Sequence, residues 1–149
     1  MAASIWDPAL RSAFIERSRK LTPETTPGWG KFHAAGMMAH LNDSYRMCIG
    51  TLTVPSKNLA LRYTPIKQLI IYVLPFPKSA PTAPQLLQRC DAAVLADEQR
   101  AFVEMLDTLA RVKPGDCLQD HPAFGPLTYA QYGALMAKHT EHHFRQFGL

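Results

Sequence analysis

The sequence predicts an all-α fold, a four-helix bundle with a long crossover between the second and third bundle helices. Three observations carry this. Four extended stretches repeat apolar residues at helical spacing, strand signals are weak, and an irregular segment, residues 51–90, separates the second stretch from the third. The length of 149 residues suits one domain, 1–149, with a core of its own.

The first helix opens at Asp7-Pro8, an N-cap followed by a proline that tolerates the first helical position. It sets Leu10, Phe14 and Leu21 on one side and Arg11, Arg17 and Arg19 on others. The stretch LTPETTPGWGK then breaks it, through Pro23, Pro27, Gly28 and Gly30. A second helix is expected from about Phe32 to Ile49, stopped by Gly50. Residues 51–90 hold half of the twelve prolines and only one short helical piece, TPIKQLIIYVL, with Thr64 as the expected cap and Pro65 in its first turn. So long a connection reads as a crossover or a lid, and LTVPSKNLAL within it as at most a short extended piece. From Asp91 to Val112, Leu95, Phe102, Met105, Leu106, Leu109 and Val112 recur at helical spacing, until Lys113-Pro114-Gly115. The last helix is announced by Thr128-Tyr129-Ala130-Gln131, which fits a capping box, and runs almost to the final residue.

Composition excludes several classes of function. An apolar fraction of 47% with 19% charged residues belongs to a soluble globular protein. The longest apolar run, IKQLIIYVLPF, is too short for a bilayer and is broken by Pro75, and MAASIWDPAL lacks the features of a secretory signal. The formal charge of +4 comes from scattered basic residues with no aromatic-basic ladder, so a nucleic-acid partner is not expected. Cys48, Cys90 and Cys117 are odd in number and far apart, which suggests reduced thiols and a cytoplasmic protein. None forms a CxxC pair, which removes a cysteine-built zinc knuckle.

What stands out is the C-terminal KHTEHHFRQFGL, where His139, His142 and His143 are interleaved with phenylalanines, unlike an unbroken purification tag. His139 and His143 are four residues apart, so a helix stacks them on one face, close enough to share an ion. At about 100° per residue, Tyr132, Met136, His139, His143 and Gln146 lie along one largely apolar stripe that should face the interior, with His142 at its edge. His40 sits mid-helix among Met37, Met38, Ala39 and Leu41, on an equally interior stripe. Three imidazoles from two helices would leave a coordination position open, as catalytic metal sites do. The spacing alone also admits three hydrogen-bonded core histidines with no ion. His33 and His121 adjoin Gly/Pro-rich turns and are expected on the surface or in loops.

WGKFHAAGMMAHLNDSYRMCIG, HPAFGPLTYAQYGALMAKHTEHH and the ending HHFRQFG carry a resemblance to the DinB/YfiT-like superfamily, and more closely to a domain-of-unknown-function branch of it. The resemblance spans nearly the whole chain, from LTPETTPGWGK to the terminus. It implies a four-helix bundle with a crossover after the second helix, and a divalent metal on one histidine of the second helix and two of the fourth. Matched by motif, these are His40, His139 and His143, with His142 the adjacent histidine that is not usually a ligand. It also implies homodimers and thiol-dependent transfer chemistry, although the branch carries no shared activity.

Zinc, nickel and iron all suit three imidazoles. Such a site can activate water for hydrolysis or bind a low-molecular-weight thiol, so the expected function is a metal-dependent transferase or hydrolase acting on a small molecule. Asp43 is a candidate base or orienter for His40, against the plainer reading of a surface acid paired with Arg46 or Arg17. Gln146 can hold a ligand histidine or bond backbone, and Trp29, Tyr45 and Tyr132 can wall a pocket or simply fill the core. The rival reading is a non-catalytic, dimeric stress-response or binding protein whose metal is structural or absent. The missing fourth ligand favours the enzyme; the lack of an evident acid or nucleophile beside the ligands favours the rival.

Overall fold

The computed structural model describes residues 1–149 as five α-helices with no strands: α1 (Pro8–Ser18), α2 (Ala34–Cys48), α3 (Ile66–Tyr72), α4 (Leu95–Leu109) and α5 (Tyr129–Gln146). Short 3₁₀ turns at Ala60–Arg62 and Pro84–Leu86 interrupt the long connection between α2 and α4. No helix is long and apolar enough to cross a membrane.

Helix α2 is the axis of the molecule. Every residue of it except Arg46 is buried, so a helix with mixed sequence is enclosed on all sides. Helix α4 packs along it, α5 crosses both α2 and α3, and α1 lies against α4 and α5. The core runs through Met37, Leu41 and Tyr45 of α2, Phe102 and Leu106 of α4, and Tyr132, Leu135 and Phe144 of α5. Enclosure obliges the polar residues of α2 to find partners. Asn42 donates to the carbonyl and carboxylate of Glu98 on α4, at 3.0 and 2.8 Å, and the Ser44 hydroxyl returns to the His40 carbonyl at 2.8 Å.

Several helix ends match their sequence signals. Asp7 caps α1 by accepting from the Ala9 amide at 2.9 Å, and Thr128 with Gln131 forms the reciprocal box at the start of α5. Gly50 takes φ +83°, the left-handed conformation that ends α2. Other ends differ. Helix α1 stops at Ser18, so Leu21 is buried from the following turn. Helix α2 starts two residues later than Phe32, because the His33 side chain serves as its cap, accepting from the Gly36 amide at 3.1 Å. Thr64 does not cap α3, which begins at Ile66 after Pro65 without a side-chain cap. Helix α4 begins at Leu95, after turns over 87–92, and the stretch expected to hold an extended piece carries a 3₁₀ turn.

Two contacts tie the periphery down. Lys138 of α5 reaches the C-terminal carbonyls of α3, donating to Ile70 at 2.6 Å and to Leu74. The N-terminal segment docks on α5 through Gly133, whose carbonyl accepts from the Ile5 amide at 2.9 Å, while the Trp6 indole donates to the Tyr129 carbonyl at 2.7 Å and stacks on its ring. A Cβ at Gly133 would strike Ser4 Oγ and the Trp6 indole. Gly133→Ala should therefore destabilise the protein by about 1–3 kcal/mol despite alanine's better helix propensity, read as a fall in Tm of several degrees. A rise in Tm would mean that the N-terminal segment does not dock there.

Candidate metal centre

Helices α2 and α5 bring three imidazoles together. His139 Nε2 stands 3.0 Å from His40 Nε2 and 3.0 Å from His143 Nε2. His40 and His143 are buried, while His139 keeps an exposed edge. The three form a group whose ligand atoms lie within 4.8 Å of one another, and which could hold a metal ion.

The outward nitrogens decide what the inward ones offer. His40 Nδ1 lies 3.2 Å from the Leu86 carbonyl, which can only accept, so Nδ1 carries the proton and Nε2 is left as a bare lone pair. His143 Nδ1 lies 2.8 Å from Gln146 Oε1. The orientation of that amide is set from its other end, because Gln146 Nε2 donates to the Trp29 carbonyl at 2.8 Å. His143 Nδ1 must then be the donor, and His143 Nε2 is a second bare lone pair. His139 Nε2 can bring at most one proton to two lone pairs, so at least one pair of nitrogens meets at hydrogen-bond distance with no proton between them. An ion resolves this repulsion, since nitrogens sharing a tetrahedral zinc stand about 3.3 Å apart. The donor set fits a divalent cation.

The local sequence explains how the clamp on His143 forms. Gly30 has φ +80°, and a Cβ there would come within 2.6 Å of Gln146 Nε2. The Trp29-Gly30 turn can thus lie directly on the end of α5, where the Gly28 amide also donates to the Gln146 carbonyl at 2.6 Å.

Electrostatics keep all three rings neutral. Burial pushes His40 down to about 4, partly opposed by the Leu86 hydrogen bond, and it pushes His143 down to about 3, with His40 adding to the effect. Burial, then the neighbouring His143 and His40, holds His139 well below the ordinary histidine range. At neutral pH the lone pairs are therefore free for an ion rather than for protons.

Aromatic rings surround the cluster. Phe32 stacks on His40 at 5.2 Å between centroids, and Phe76 stands 6.3 Å from His139. His142 is not one of the converging three; its ring sits 5.8 Å from both Trp29 and Phe76, beside His143. The Lys78 ammonium lies over the Trp29 ring, 4.7 Å from its centroid. Tyr45 and Tyr132 are core residues instead, bonded to Thr140 and to the Gln119 carbonyl. Asp43 is not a surface acid. It is buried and held by Arg46 at 2.7 Å and Arg89 at 3.0 Å, whereas Arg17 pairs with Glu141. His33 and His121 both lie in loops, as expected; His33 is exposed, while His121 is half-buried, its Nδ1 accepting from the Ala123 and Phe124 amides. Sequence reasoning missed Phe32, Phe76 and the Leu86 carbonyl. The two phenylalanines had a weak signal in their apolar character next to Gly/Pro breaks, and a backbone carbonyl has none.

A family profile described as a protein of unknown function, DUF1569, matches residues 8–148. The chain belongs to the DUF1569 family. The matched span contains all three converging histidines of this DUF1569 protein, together with Leu86 and Gln146. No curated protein and no solved structure matches it.

The depressed histidines fix how the metal-free protein responds to acid. Between pH 6.5 and about 4 the unfolded chain binds protons that the folded chain refuses, so stability present above pH 6.5 is lost as pH falls. His40 alone, lowered to about 4, makes this loss roughly 3 kcal/mol at its upper limit. Urea unfolding of the metal-free protein at pH 7, 5.5 and 4.5 should show a progressive decrease, and a flat profile would contradict the buried neutral cluster.

Proposed function

We propose that this protein is a divalent-metal-dependent enzyme acting on a small molecule, a transferase using a low-molecular-weight thiol or a hydrolase, with His40, His139 and His143 as its metal ligands. The observation that carries the reading is the meeting of two tautomer-locked lone pairs on one further imidazole nitrogen. Zinc, nickel or iron would suit the set, and a bound ion would supply Lewis acidity toward a water or thiol at an open position. The chain's own residues do the rest. Leu86 and Gln146 orient two of the ligands, while Phe32 packs on His40, Phe76 on His139 and Trp29 on the neighbouring His142.

The same reading puts the family in the DinB/YfiT-like superfamily. In it α1, α2, α4 and α5 form a four-helix bundle, residues 51–90 are the crossover, and His142 is the non-ligating neighbour. The helix order and the origin of the ligands, one on α2 and two on α5, support this. A cytoplasmic homodimer completes it, supported by free cysteines and by exposed apolar side chains at Tyr63, Leu69, Tyr72 and Val73.

A non-catalytic binding protein with a structural ion is the second reading, favoured by one observation. Asp43, the carboxylate nearest in sequence to His40, is occupied by two arginines.

Elemental analysis of untagged protein purified without chelator should give close to one metal per chain, and His139→Ala/His143→Ala should give none. Thiol-transfer and ester-hydrolysis screens of wild-type protein should then show an activity lost on metal removal and restored by reloading. Metal-free wild type that takes up no zinc, nickel or iron would end the enzyme reading, and stoichiometric metal without activity would leave the structural one.

A further inference from the structure

The carbonyl of Leu86 determines which nitrogen of His40 faces the cluster, yet it belongs to an irregular segment whose only regular element nearby is the 3₁₀ turn Pro84–Leu86. Something must hold that segment against α2. Three residues on, Arg89 spans two buried carboxylates from two different helices. Its Nε donates to Asp43 Oδ2 at 3.1 Å and its Nη2 to Asp43 Oδ1 at 3.0 Å, while its Nη1 donates to Glu98 Oε1 at 2.7 Å. Asp43 lies on α2, one turn beyond His40, and Glu98 lies on α4. Burial pushes the Glu98 carboxyl up, but hydrogen bonds from Arg89 and Asn42 outweigh this and hold it below the usual range. One turn before His40, Gly36 lets the same segment approach closely, since a Cβ there would meet the Cys90 carbonyl at 3.1 Å. The segment is thus pinned on both sides of the ligand.

We propose that Arg89 is a positioning residue for His40: by clamping residues 84–90 to Asp43 and Glu98, it presents the Leu86 carbonyl to His40 Nδ1 and keeps the Nε2 lone pair directed into the cluster. A planar guanidinium can serve two carboxylates at once, which a point charge does less well. Loss of the clamp frees the Leu86 carbonyl, and His40 can then move its proton to Nε2, where it blocks the site. The consequence for metal affinity rests on the three-histidine reading above, whereas the effect on the tautomer does not.

The test is a two-bond ¹⁵N–¹H correlation spectrum of histidine-labelled, metal-free protein, followed by zinc titration against a competing chelator. Wild type should show His40 protonated at Nδ1, and Arg89→Met should show a population protonated at Nε2, with zinc Kd weakened about 10–100-fold. Arg89→Lys, which keeps a cation between the carboxylates but not the fork, should fall between wild type and Arg89→Met. His121 is the internal control, because its Nδ1 accepts two backbone amides and should stay unprotonated in every folded variant. Should Arg89→Met unfold because two buried acids lose their shared guanidinium, with only Arg46 left on Asp43 and Asn42 on Glu98, Arg89→Met/Asp43→Asn/Glu98→Gln removes those charges and should show the same shift. A folded clamp variant in which His40 stays protonated only at Nδ1 overturns the proposal. A tautomer shift in a protein whose wild type takes up no zinc supports the clamp and ends the metal reading instead.

Discussion

The arrangement depends on a pair of hydrogen bonds made behind the histidines rather than between them. Leu86 offers a carbonyl to His40, Gln146 offers an amide oxygen to His143, and each consumes the one proton that a neutral imidazole possesses. The opposite nitrogens are left as acceptors with no donor sufficient for both. In a buried setting that is costly, and proteins tolerate such an arrangement where a cation, a proton or a catalytic role accounts for it. Burial pushes the histidines down, which disfavours the proton and leaves the cation as the fitting partner.

Much of the surrounding fold serves to hold those two partners still. Gln146 is fixed by the Trp29 carbonyl, and the turn carrying Trp29 can approach because Gly30 has no side chain. Leu86 sits in a segment clasped by Arg89, whose carboxylate partners come from the enclosed helix α2 and its neighbour α4. A surface ion pair would contribute little, but these acids are buried, so removing the arginine would leave Asp43 with Arg46 alone and Glu98 with Asn42 alone. The polar residues of α2 therefore link packing to site geometry: His40 is a ligand candidate, and Asp43, one turn on, helps to orient it.

What the sequence made legible was periodic or local. The four-residue spacing of His139 and His143 required only a helix, and the Thr128–Gln131 box marked where that helix begins. His40 was identifiable because it interrupts an apolar stripe, and Gly50 because only a left-handed residue ends the helix there. What escaped was non-local or lacked a side-chain signature. Asp43 resembled a surface acid because its main partner, Arg89, is 46 residues away and in an irregular segment. The Leu86 carbonyl could not be read from any residue type. His33 capping α2, and α4 starting at Leu95 rather than Asp91, were masked by neighbours that fit a helix equally well.

The central claim is that His40, His139 and His143 form one nitrogen-donor site, and X-ray absorption at the zinc K-edge of the stoichiometrically loaded protein tests it most directly. The account predicts a first shell of nitrogen and oxygen scatterers near 2.0 Å, with the outer-shell pattern of three imidazoles and no sulfur. A sulfur scatterer, or one imidazole or none, would contradict it and place the ion elsewhere on the chain.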